Sequence, residues 1–251
     1  MYFDGKSRTD LHFRNGILES KRTRALVNFD EDRQVFAAVF HYFYLRLAIF
    51  FGCLGIFMNL FRGEMLDKTL HYWLLLPVRR EVLLGGKYVA GLIAATAIFT
   101  FGAMLCFAAM LWPQDPAQVS TYWSINGPAH LARYAAAAAL ACVGYGSAFL
   151  AAGLLVRNPI VPAVVLMLWE SINGFLPDVL QKISVIYYAR SICPTLPPTD
   201  PNMPALLRMI LSPAEPAPAL IAVLGLLALT ALVLWAASRS VRRLEINYGG
   251  D

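Results

Sequence analysis

Residues 217–243 read APALIAVLGLLALTALVLWAASRSVRR, and 217–238 carry no charge. At about 1.5 Å per residue, a helix of that length rises about 33 Å, close to the roughly 30 Å of a bilayer's hydrocarbon core. Arg239, Arg242 and Arg243 then close the run with positive charge. Water does not reach a bilayer interior, so backbone groups there must bond within their own segment, and such a run reads as a helix. The pattern recurs upstream at about 35–61, 88–112, 131–156 and 159–176, so five spans are expected with 217–238. Alternating segments of about ten residues, the mark of a transmembrane barrel, are absent from the sequence.

Composition agrees with this reading. The chain is 58% hydrophobic and 15% charged, whereas a soluble domain carries roughly a quarter charged residues. The fold class expected is therefore all-α and integral to a membrane, with about five transmembrane helices. The net charge of +5 gathers at the edges of apolar runs, where anionic headgroups meet it, and forms no aromatic-rich basic stripe. A lipid membrane, and no nucleic acid, is the partner this implies. Three of the four cysteines (Cys53, Cys106 and Cys142, but not Cys193) lie inside apolar runs. None has metal-ligand spacing, so they read as small buried hydrophobes.

Lysine and arginine in short loops set orientation. The stretch 62–87 holds Arg62, Lys68, Arg79, Arg80 and Lys87, whereas 113–130 holds no basic residue. The basic loops and the C-terminus are thus expected in the cytoplasm, the chain being a multi-pass protein of the plasma (bacterial inner) membrane. The proline-rich segment 177–216, with only Lys182, Arg190 and Arg208, is expected outside by the same count, and with five spans the polar segment 1–34 is then expected outside as well, although it holds seven basic residues against six acids. Within 177–216, 181–193 and 203–211 read either as short interfacial helices or as proline-stiffened loop. The alanines at 135–139 read as a close helix-packing surface. Two charges fall inside spans: Arg46 about 22 Å and Glu170 about 16 Å from the cytoplasmic side at the helical rise. Intramembrane charges are costly and usually paired or cavity-lining. We therefore expect an Arg46–Glu170 pair between helices, the alternatives being Arg46 reaching the outer surface and Glu170 facing a cavity.

The stretch richest in information is Phe61–Lys87, FRGEMLDKTLHYWLLLPVRREVLLGGK. Glu64, Asp67, Lys68 and His71 fall on one face of a helix over about 63–77, with acids in the first turn, and Pro77 ends it. Such a helix lies along a membrane surface. The order of Arg62-Gly63-Glu64, Thr69-Leu70, Pro77-Val78-Arg79-Arg80 and Gly86-Lys87 resembles the signature of type-2 ABC exporter permeases. That resemblance covers about 35–245, the permease domain. It implies that 63–77 is a cytoplasmic coupling helix docking on a separate ABC ATPase subunit. Glu64, Asp67, Lys68, His71 and Arg80 would make the polar contacts there, with Leu70 and Trp73 as anchors. It also implies a second permease chain, in a homo- or heterodimer, and an external gate formed by the proline-rich segment. Family members usually have six spans; on this correspondence 1–34 matches the external loop after the family's first span. ATP and Mg would sit on the partner, with no cofactor on this chain, which has no phosphate-loop motif: Gly85-Gly86-Lys87 is followed by Tyr88. His12, His41, His71 and His130 are dispersed and form no catalytic motif, so an enzyme is not expected. The alternatives kept open are an ion-driven secondary transporter and an accessory membrane subunit.

Overall fold

A computed structural model describes residues 2–4, 7–14, 17–25, 28–66, 80–156, 160–173, 176–194 and 216–242. The N-terminal part is a three-stranded antiparallel meander of β1 (Tyr2–Asp4), β2 (Ser7–Arg14) and β3 (Ile17–Ala25). Its register pairs Ser7 with Ala25 and Arg14 with Ile17, with an irregularity between His12 and Phe13. Asn15-Gly16, which separates β2 from β3, is a strong hairpin signal.

Every described element beyond the sheet is helical. The first helix starts at Phe29 rather than near 35, because Asn28 caps it. The Asn28 side chain accepts from the Asp30 amide at 3.3 Å, and Asp30, Glu31 and Asp32 fill the first turn, where the macrodipole favours acids. From there one continuous rod comprises α1 (Phe29–Val39), a π-helical segment (Phe40–Ala48) and α2 (Ile49–Leu66). It runs past Arg62 without a break. The helix expected from 63 is therefore, over 63–66, the last turn of α2, while 67–79 lies outside the described residues.

The next helices are α3 (Arg80–Leu111), α4 (Pro116–Ile125) and α5 (Gly127–Leu155). They are followed by α6 (Ile160–Ile172), α7 (Asp178–Gln181), α8 (Val185–Ile192) and α9 (Ala219–Arg242). Among the described residues, four helices are long and apolar enough to cross a membrane: Phe29–Leu60, Glu81–Leu111, Gly127–Leu154 and Ala219–Ser240. The expected span at 159–176 is a 13-residue helix instead, rising only about 20 Å. Of the two readings of 181–193, the helical one holds over Val185–Ile192 (α8), although that helix is buried in the bundle and not interfacial, whereas 203–211 lies outside the described residues.

Helix α5 is the hub of the bundle. Of its most apolar window 72% is buried, against 33% for the first rod and 17% for α3 and for α9. Small residues make this possible. Ala137, Ala138, Ala141 and Cys142 are fully buried, although Ala136 in the alanine run faces outward. A Cβ on Gly146 would come within 2.5 Å of the Phe57 ring, so α2 lies directly on the α5 backbone there.

Ring contacts fix which ends meet. Tyr134 of α5 packs on Phe36, Phe40 and Phe107 at centroid distances of 5.0, 4.7 and 5.9 Å. At the opposite end, Met58 of α2 lies against Gly153, and Lys87 of α3 donates to the Leu60 carbonyl at 2.5 Å. The first rod and α5 therefore run parallel, and α3 runs antiparallel to both. The start of α1 shares its end of the bundle with α4. Phe29 packs on Tyr122 at 4.9 Å, Arg33 lies 5.0 Å over the same ring, and Gln114 donates to Asp32 at 2.6 Å.

This packing predicts that Gly146→Val destabilises the protein by about 1–3 kcal/mol through overpacking against Phe57. Thermal unfolding of the purified protein in detergent checks it, with Ala136→Val as an outward-facing control that leaves the midpoint nearly unchanged.

Candidate functional site

Deep in the bundle, α6 ends and α8 begins among buried side chains. Each end exposes backbone groups that have no intrahelical partner: amides at a helix start and carbonyls at a helix finish. In an apolar interior such orphans cost several kcal/mol unless bonded. Glu170 and Arg46 bond them.

Glu170 is only 3% exposed. Its Oε1 accepts from the Val185 amide at 3.0 Å, and its Oε2 accepts from the Ser184 hydroxyl at 2.5 Å and the Ile186 amide at 3.4 Å. A carboxylate from α6 thus takes the place of a side-chain N-cap for α8. Ser184, which occupies that cap position, makes no capping bond itself and spends its hydroxyl on Glu170. The negative charge also faces the positive end of the α8 dipole.

Arg46 approaches the same joint from the π segment. One guanidinium NH2 donates at 2.6 Å to the main-chain carbonyl of Glu170, which lies in the last turn of α6. The cation therefore caps the C-terminus of α6, as the dipole favours. The two charges expected to pair do lie side by side, but the bond joins guanidinium to carbonyl, and the carboxylate serves α8.

Neighbouring polar groups brace the connection. Gln181 donates to the Leu176 carbonyl at 2.8 Å, and Asn173 donates to the Gln181 carbonyl at 3.3 Å. The foot of α8 enters a notch in α5: a Cβ at Gly144 would come within 2.7 Å of Val185. At its other end, the Ser191 hydroxyl accepts from the Ala217 amide at 3.1 Å, and Tyr188 lies against Gly225 of α9. His41 is buried in the π segment, its Nδ1 bonded to the Ala37 carbonyl at 2.7 Å. The arrangement ties the first rod, α5, α6, α8 and α9 together. Among the described residues, no group of three or more potential ligands is placed to hold a metal ion.

Of the residues expected to touch an ATPase, Glu64 lies in the last turn of α2 and Arg80 is the first residue of α3. Asp67, Lys68, Leu70, His71 and Trp73 lie outside the described residues. The structure brings Arg46 and Glu170 together and adds Ser184, which the sequence reading did not single out. Its signal was available: a serine just ahead of an apolar helix is an N-cap candidate. No family model, no curated protein and no solved structure matches this chain.

The geometry makes the two charges non-interchangeable. Glu170→Ala strands three buried donors and is expected to cost about 3 kcal/mol or more. The double exchange Arg46→Glu with Glu170→Arg should fail to rescue, because arginine cannot accept from the Val185 and Ile186 amides. Thermal midpoints of the two single variants and the double variant decide this; recovery to near the parental value would contradict the assigned bonds.

Proposed function

We propose that this chain is the transmembrane permease subunit of an ATP-binding cassette exporter. In this reading it couples ATP hydrolysis on a separate ATPase subunit to movement of a substrate across the membrane. The observation that carries the reading is the ordered set Arg62-Gly63-Glu64, Thr69-Leu70, Pro77-Val78-Arg79-Arg80 and Gly86-Lys87. The fold is compatible with it. Helices α2 and α3 are antiparallel neighbours, and Lys87 ties the start of α3 to the Leu60 carbonyl. Residues 67–79 therefore connect two adjoining helix ends, where a coupling element would move both helices together.

In this reading the basic end of the bundle, with Arg62, Arg79, Arg80 and Lys87, faces the cytoplasm of a plasma membrane. The C-terminal arginines lie on the same side, and the sheet and α4 lie outside. A coupling helix over 63–77 docks on the ATPase through Glu64, Asp67, Lys68, His71 and Arg80, with Leu70 and Trp73 as anchors. A second permease chain completes the assembly, and ATP with Mg binds the partner. The fifth crossing is interrupted: α6 and α8 together rise about 31 Å, and their joint sits at Arg46, near the middle of the first rod. Buried charges at such a break also suit an ion-driven transporter. Here, however, both charges are spent on helix ends, which favours a mechanical role.

Affinity purification of the tagged chain from membranes, followed by partner identification, tests this. Recovery of an ATPase subunit is expected, and its loss in the Glu64→Ala/Arg80→Ala double variant would place the contact. Clean purification without an ATPase would sink the permease reading and favour an ion-driven transporter or an accessory subunit.

A further inference from the structure

The end of α3 and the short helix α4 enclose a groove of about 510 Å³, within the ordinary range of ligand clefts. It lies at the other end of α3 from Lys87. Leu111 and Trp112 line it from α3, and Val119 and Trp123 from α4. Its polar lining is bonded within the protein. The Ser120 and Ser124 hydroxyls donate to the Ala117 and Thr121 carbonyls at 2.9 and 2.8 Å, and the Gln114 amide donates to Asp32 at 2.6 Å. Among the described residues, no charged side chain lines the groove. A sugar or nucleotide needs several convergent polar groups to orient it; this groove offers hydrocarbon and two indoles instead.

The groove continues an exposed face of α3. Ile98, Phe101 and Leu105 are exposed, and Ala108 and Trp112 follow at the same alternation of four and three residues, which keeps them on one face. The Trp112 amide still donates to the Ala108 carbonyl at 3.1 Å, so the stripe is helical to its end. On a helix long and apolar enough to cross a membrane, such a stripe meets lipid chains. Trp112, 90% exposed, closes it, and Trp123 is exposed on α4; indoles at the end of a span belong at headgroup level. The charges tied to the lining are acids. Asp115 is exposed between Gln114 and Pro116, both lining residues, and it caps α4 by accepting from the Ala117 amide at 3.3 Å. Asp32 holds Gln114. Arg33 lies over the Tyr122 ring and pairs with Asp30 at 3.6 Å. An anionic headgroup is disfavoured beside Asp115, and a cationic one is favoured.

We propose that this groove seats a phospholipid with a primary-amine headgroup, of the phosphatidylethanolamine type. One acyl chain follows the α3 stripe, its upper part lies between Trp112 and Trp123, and the ammonium meets the carboxylate of Asp115. A quaternary choline has no N–H to donate there, and a phosphatidylglycerol brings only negative charge. The site is independent of whether an ATPase binds residues 63–77, which join the opposite ends of α2 and α3.

The test reconstitutes the full chain, with Trp73→Phe, Trp169→Phe and Trp235→Phe leaving Trp112 and Trp123 as the only indoles, in phosphatidylcholine vesicles. A minor fraction of the lipid is chain-brominated phosphatidylethanolamine, phosphatidylcholine or phosphatidylglycerol, since bromine quenches an indole on contact. At equal fraction the ethanolamine lipid is expected to quench about threefold to fivefold more effectively, the worth of an exposed ion pair. Asp115→Asn should abolish that preference and keep the quenching by the chains, because asparagine caps a helix as well as aspartate does. Native mass spectrometry of the parental protein, titrated in detergent with the same three lipids, should show the ethanolamine lipid retained preferentially; this reading does not depend on the tryptophan substitutions. Equal quenching or equal retention of the three lipids, a preference that survives Asp115→Asn, or indoles quenched by aqueous iodide and not by bromine would each overturn the proposal.

Discussion

A helix that begins inside a bundle must find acceptors for its first amides there, because no water can supply them. In this chain the carboxylate of Glu170 meets that need for α8, and the guanidinium of Arg46 meets the mirror need at the end of α6. Each charge answers the helix end whose dipole has the opposite sign. The consequence is positional. The first rod, α6 and α8 are held at one point by bonds that tolerate little displacement, and that point lies near the middle of the rod.

The remainder of the bundle is organised to let the joint exist. Helix α5 has small residues where its neighbours come closest: Gly146 under Phe57, and Gly144 under Val185. The second notch lets the foot of α8 reach the depth at which Glu170 can cap it. Close backbone approach replaces the hydrophobic driving force that lipid does not provide between helices. Substituting either glycine would thus displace a helix whose polar attachments are fixed elsewhere.

The sequence displayed the apolar helices well, because long runs free of charge have few other uses. Their limits were less legible. Asn28-Phe29-Asp30-Glu31-Asp32 looks like a polar tail when hydropathy is averaged, yet chemically it is a cap with an acidic first turn, and the helix begins there. The run 159–176 shows the converse, since apolar composition does not record that the helix stops at Ile172. Asn15-Gly16 signalled a hairpin inside a segment read only as polar and mixed in charge. For Arg46 and Glu170, depth along each helix was enough to bring the residues together. The choice of carbonyl over carboxylate was not, since it depends on where α8 starts, and that is settled by Ser184 and the notch at Gly144.

The π-helical stretch from Phe40 to Ala48 gives the first rod a property that a plain α-helix lacks. Its hydrogen bonds close five residues on rather than four, so it holds slack in the winding of the rod. Rewinding it to α geometry by one residue would turn everything before Phe40 by about 100° relative to everything after Ala48. The section bearing Phe29 and Arg33 would screw against α4 while α2 kept its seat on Gly146. The rod is thus built as two shafts with a torsional coupling between them, and the anchor of the joint, Arg46, is mounted on the coupling itself.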